Sequence, residues 1–105
     1  MKEVTASELK ALLDSGQAIQ IIDVRESYEY EAANIGGELI PLSTIGEAAD
    51  RIRRDIPVVV HCKAGMRSAA AIYELEARHG FTNLHNLKGG ILAYANDIDP
   101  TLQVI

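Results

Sequence analysis

The sequence predicts an α/β domain in three layers, with helices on both faces of a mainly parallel sheet. Two observations predict it. Strand-like and helical segments alternate at short intervals along 105 residues, the order that parallel crossovers require. Val58-Val59-Val60 is β-branched, follows Pro57 and is apolar on both faces, which suits a central strand covered from both sides.

The elements follow from local signals. Thr5-Ala6-Ser7-Glu8 has capping-box spacing, and Leu9, Leu12 and Leu13 share a helical face before Gly16 stops the helix. Ala18 to Val24, carrying Ile19, Ile21, Ile22 and Val24, reads as a buried strand. Glu26 to Ala33 reads as a short helix with Tyr28 and Tyr30; Gly36-Gly37 breaks the chain before a short strand, Glu38 to Ile40, ended by Pro41. Thr44 and Glu47 again have capping-box spacing, and Ile45, Ala48, Ala49 and Ile52 form a helical stripe. After the central strand, a loop from Cys62 to Arg67 leads into a helix from about Ser68 to His79, closed by Gly80. Asn83 to Leu87 is a further strand, and Gly89-Gly90 opens a last helix with Ile91, Leu92, Tyr94 and Ala95.

Composition narrows the function. Fifteen acidic and ten basic residues give a formal charge of −5, which disfavours nucleic acid as a partner. No apolar run approaches the roughly 18 to 20 residues that cross a bilayer, and the N-terminus lacks the apolar core of a signal peptide, so no membrane partner is expected. One cysteine forms no internal bridge and predicts a reduced, cytoplasmic protein. No GxGxxG or P-loop pattern occurs, and His79 and His85 lack partners at zinc spacing, so neither a nucleotide cofactor nor a metal is expected.

The informative segment is Val58 to Ser68, in which Cys62 leaves the central strand, a short loop follows, and a helix begins. In such an α/β sheet, ligands bind beyond the carboxyl ends of the strands. Backbone N–H groups of the loop can converge above the sulfur as an anion-binding nest, and the helix start adds the positive end of its dipole. Lys63 and Arg67 add formal charge, and Gly65 permits a backbone angle that a side chain resists. Together these favour the nucleophilic thiolate. Cys62 is thus the candidate nucleophile, with its thiol facing outward, and Lys63, Ala64, Gly65, Met66, Arg67 and Ser68 are the candidate substrate-binding residues. The bland alternative, a free cysteine acting as a small buried hydrophobe, fits its position at a strand end less well.

Three separated segments resemble one family, the rhodanese domains, in the right order. Ile21-Ile22-Asp23-Val24-Arg25-Glu26 with Tyr28-Glu29-Tyr30 is similar to the first signature, Val58 to Ser68 to the active-site strand and loop, and Asn86-Leu87-Lys88-Gly89-Gly90-Ile91 to the closing motif. Two departures are local: Asn34-Ile35-Gly36-Gly37-Glu38 stands where many relatives have His-Ile-Pro-Gly-Ala, and Tyr94 where a tryptophan is common. The resemblance implies a single domain over residues 1–105 with the three-layer α/β/α rhodanese-like fold and a five-stranded, mainly parallel sheet. It also implies a sulfurtransferase without cofactor, in which Cys62 takes a sulfane sulfur from thiosulfate or another small anionic donor as a persulfide and passes it on. Lys63 and Arg67 would attract the donor, while Asp23 and Arg25 are supporting residues that orient loops. The tail Tyr94 to Thr101 is similar to the end of rhodanese domains fused to adenylating enzymes of molybdopterin and thiamine biosynthesis, which implies as an alternative a sulfur-relay module with a protein sulfur acceptor or ubiquitin-like carrier as its partner.

Other readings share the fold. Phosphatases of the cell-division-cycle type and some arsenate reductases also begin their loop with His-Cys, as His61-Cys62 does here. Four residues separate Cys62 from Arg67, one fewer than in the phosphatase pattern, and the narrower nest suits one sulfur atom better than a tetrahedral phosphate. A non-catalytic interaction module is the other alternative; its relatives lack the cysteine that this chain keeps. His61 reads as a packed strand residue, and Tyr28 and Tyr30 as packing and rim residues.

Overall fold

The computed structural model describes residues 1–105. Five strands are present in chain order: β1 (Glu3–Val4), β2 (Gln20–Asp23), β3 (Glu38–Leu39), β4 (Val58–His61) and β5 (Leu84–Leu87). Four α-helices, α1 (Ala6–Asp14), α2 (Ser27–Ala32), α3 (Met66–His79) and α4 (Gly90–Asp97), and a 3-10 helix, Leu42–Arg51, connect them. The strand order is β1-β5-β4-β2-β3, and every pairing is parallel. The expected sheet is mainly parallel; the observed one is wholly so.

The middle strand organises both layers. Val58 and Val60 point into a core with Ile72 and Leu75 of α3 and Ile45 of the 3-10 helix. Val59 points the other way, toward Leu9 of α1 and Tyr94 of α4. Period-two alternation thus feeds two apolar layers from one strand. Each of these valines is at most 1% exposed, a burial that stabilises by about 1.5–3 kcal/mol per side chain. Tyr94, in place of tryptophan, packs in the second layer.

Local chemistry sets the element ends. Thr5 Oγ1 accepts from the Glu8 amide and Glu8 Oε1 accepts from the Thr5 amide, the capping box read from the sequence. Gly80 closes α3 in the left-handed region. Asn34 accepts from the Gly36 amide at 3.0 Å, a side-chain turn that shapes the loop which departs from the family pattern.

Two expectations are corrected. The segment after Pro41 is a 3-10 helix without a capping box, because the helix starts at Leu42 and Thr44 already lies inside its first turn, where its amide and hydroxyl both donate to the Pro41 carbonyl. Leu13 lies exposed at the solvent rim of the nine-residue α1, while Leu9 is buried. Strand β1, at two residues, carries no periodicity in the sequence and is held by its partner, with the Asn86 and Lys88 amides donating to the Lys2 and Val4 carbonyls.

Candidate active site

Strand β4 ends at His61, and the chain passes through Cys62 into a loop that becomes α3 at Met66. The turn depends on Gly65, whose φ of +116° lies in the region that side chains avoid. With Gly65 in that conformation its N–H donates to Cys62 Sγ at 3.1 Å. Ser68 Oγ lies 3.4 Å from Sγ. One loop amide and one hydroxyl therefore lie against the thiol.

The thiol sits deeper than the sequence suggests. Cys62 is 1% exposed and belongs to the apolar core beneath the loop. The expectation that it faces outward is corrected: the nest folds over the sulfur rather than standing beside it. Burial pushes the thiol's pKa up, but the hydrogen bonds open to the ionised sulfur, first from the Ser68 side chain and then from backbone amides of the loop, outweigh it, and the pKa lies below its ordinary value. A buried structural cysteine would be raised instead.

Helix α4 aims the loop. The Ile91 and Leu92 amides, in its first turn, donate to the Cys62 and Lys63 carbonyls at 2.9 and 3.1 Å. Each carbonyl and the next residue's N–H lie on opposite sides of one planar peptide, so pinning the Lys63 carbonyl toward α4 turns the Ala64 N–H away from it. The close approach needs Gly90, at φ +64°: a Cβ there would overlap the Lys63 carbonyl and come within 2.7 Å of the Ala64 nitrogen.

Arg67 is not a free cation. Its guanidinium holds both oxygens of Glu29 on α2, at 2.6 and 2.9 Å. The paired Arg67 and the Glu26 amide bring the Glu29 carboxyl down to about 2 against the opposing effect of burial. Lys63 forms no ion pair and remains the loop's uncompensated cation. Met66, at 85% exposed, crowns the loop.

Asp23 and Arg25 lie together, fully buried, at the end of β2. Arg25 Nη2 bridges Asp23 Oδ2 at 2.8 Å and the Ala33 carbonyl at 2.7 Å, which ties the strand end to the end of α2. His61 lies beside them, its Nε2 3.6 Å from Asp23 Oδ2, and burial lowers its pKa against the attraction of Asp23. Neither Asp23 nor Arg25 hydrogen-bonds to the loop. Two further side chains enter the site that the sequence reading did not select. Glu29 meets its partner 38 positions away, a distance no local spacing reveals. Asn86, inside the closing motif, bonds Ser68 and the Gly65 carbonyl.

Fold and geometry define a class: a parallel α/β domain that presents a cysteine inside a ring of amides at the end of its central strand. Residues 5–97 match the rhodanese-like domain family, and the chain belongs to it. It is 38% identical over 102 residues to a probable adenylyltransferase/sulfurtransferase, MoeZ, of Mycobacterium tuberculosis, covering 94% of this chain but 26% of that protein. The chain thus spans about a quarter of that relative's length. It is also 37% identical over 99 residues to YqhL of Bacillus subtilis, covering 93% of this chain and 75% of that protein. A crystal structure of a rhodanese-like domain protein from Staphylococcus aureus superposes with a TM-score of 0.84 at 31% identity, covering 100% of this chain and 99% of the other. No helix is long and apolar enough to cross a membrane.

Proposed function

We propose that this chain, acting as one domain, is a sulfurtransferase that carries a sulfane sulfur on Cys62. The observation that carries the reading is the Gly65 N–H donated to Sγ at 3.1 Å with the Ser68 hydroxyl 3.4 Å away, which gives a buried sulfur the polar partners an anion needs. The Cys62 thiolate attacks the outer sulfur of thiosulfate. A Cys62–sulfur bond forms as the donor's sulfur–sulfur bond breaks, and sulfite leaves with the bonding pair. The resulting persulfide anion stays within reach of the Gly65 amide and the Ser68 hydroxyl. A thiophilic acceptor then takes the outer sulfur, and Cys62 leaves as thiolate, so the kinetics are ping-pong. Lys63 draws in the anionic donor; Arg67, held by Glu29, shapes the loop that lines the nest.

A second reading extends the acceptor to a protein. It is favoured by the likeness to a domain of an adenylyltransferase/sulfurtransferase and by the apolar Met66 standing exposed over the site. The test of the primary reading is thiocyanate formation from thiosulfate and cyanide. The parent chain is expected to form it with ping-pong kinetics, and Cys62→Ser to form none while keeping its fold. Hydrolysis of an aryl phosphate without thiocyanate would move the chain to the phosphatase class.

A further inference from the structure

Asn86 on β5 holds the hydroxyl that lies against the sulfur. Its Oδ1 is 2.6 Å from Ser68 Oγ, and its Nδ2 donates to the Gly65 carbonyl at 3.1 Å. The second bond fixes the amide, because the reversed orientation would set two carbonyl oxygens against each other. Ser68 therefore meets a pure acceptor at its shortest contact. Its one proton has three acceptors around it: Asn86 Oδ1 at 2.6 Å, the Gly65 carbonyl at 3.2 Å and Cys62 Sγ at 3.4 Å. With the proton on Asn86, a lone pair of Ser68 faces the sulfur, which accepts from a thiol S–H and repels a thiolate. With the proton on the sulfur, the thiolate is favoured and the buried Asn86 oxygen loses its partner.

We propose that Asn86 is a positioning residue that governs, through the Ser68 hydroxyl, whether Cys62 rests as thiol or thiolate. The inference rests on the sulfurtransferase reading only in taking Cys62 as the working nucleophile. In the resting state the Cys62 S–H donates to Ser68 Oγ, whose own proton lies on Asn86. When the thiol proton passes to water, the hydroxyl rotates and donates to Sγ. The persulfide, which has no proton on its inner sulfur, is served by the same rotated hydroxyl. Asn86 thus opposes ionisation at rest and yields once the sulfur is charged.

The chain has one cysteine, so the pH profile of iodoacetamide alkylation reads Cys62 alone and needs no sulfur donor. Asn86→Leu removes the competing acceptor and keeps the branching and heavy-atom count of the side chain. The Gly65 carbonyl already accepts from the Ala69 amide, and the charged sulfur is the stronger claimant for the freed proton. The expected result is a lower midpoint, with the acid constant of Cys62 raised roughly three- to tenfold. In a Ser68→Ala background the same substitution is expected to leave the midpoint in place. The charged and titratable groups near the sulfur are Arg67 with Glu29, Lys63, and the His61, Asp23 and Arg25 cluster; all are retained in every variant. A shift that persists without the Ser68 hydroxyl would mean that Asn86 acts through the Gly65 turn and would overturn the proposal, as would an unchanged or raised midpoint. Asn86→Ala repeats the cycle with a smaller side chain, and Ser68→Ala alone gives an independent check. If Asn86 holds the proton at rest, deleting the hydroxyl raises the midpoint by less than a tenfold change in acid constant; a larger rise would contradict it. Failure of the parent chain to move sulfur would count against the function and not against this arrangement.

Discussion

Arg67 and Glu29 form a two-pronged ion pair, at 2.6 and 2.9 Å, that joins the start of α3 to α2 across the site. Glu29 is 5% exposed, so its charge is stable there only with this partner. The pair converts the loop's arginine from a free attractor of anions into a strut.

Removing the carboxylate separates these roles. Glu29→Gln is expected to destabilise the chain by about 1–3 kcal/mol, the cost of stranding a charge-assisted pair that is open to solvent on one side. Urea unfolding followed by circular dichroism measures it. Sulfur transfer is expected to slow through a loosened loop, with kcat falling more than KM rises. A variant with unchanged stability and only a lower KM would show that Arg67 binds the donor as a free cation after all.

Acid should unfold the chain in two ranges. The Glu29 carboxyl is held at about 2, by Arg67 first, against an ordinary value of 4.5. A depressed carboxyl contributes stability above its unfolded value and loses it as pH falls toward the folded one, so the loss runs from about pH 4.5 to 2 and amounts to no more than about 3 kcal/mol. His61, whose pKa is lowered chiefly by burial, acts in the same sense from 6.5 downward, because its neutral form fits the buried site. Stability measured from pH 8 to pH 2 is expected to fall first below pH 6.5 and again below pH 4.5. Glu29→Gln should shrink the lower step and keep the upper one.

Gly90 tests the aim of the loop. Gly90→Ala forces a Cβ against the Lys63–Ala64 peptide and places a side chain at φ +64°. It is expected to cost about 1–3 kcal/mol in thermal or urea unfolding and to lower kcat at least about tenfold. The midpoint of Cys62 alkylation should rise as the amides turn off the sulfur. Full activity in this variant would show that α4 does not position the nest.

The legible parts of this chain are those whose partners are near in sequence. The Thr5–Glu8 cap, the run from Val58 to Val60, the glycine-bearing loop and the close of α3 at Gly80 each follow from neighbours within one turn or one strand. Cys62, Ser68 and the loop between them could be placed together because the turn itself brings them together. What escaped depends on pairings across the sheet. Glu29 looks like Glu26 or Glu31 until Arg67 is seen above it, and Asn86 is one polar residue on a strand until β4 lies alongside. The two-residue β1 has no pattern to read. The depth of Cys62 is likewise a tertiary property: the residue types predicted the amide ring, but only the packing of α4 on the Lys63 carbonyl folds that ring over the sulfur.

The most direct test of the persulfide on Cys62 is the intact mass of the protein after incubation with thiosulfate and removal of the excess. A gain of one sulfur atom, discharged by cyanide and absent in Cys62→Ser, is the predicted result. An unchanged mass in the folded parent chain, with polysulfide as well as thiosulfate as donor, would contradict it.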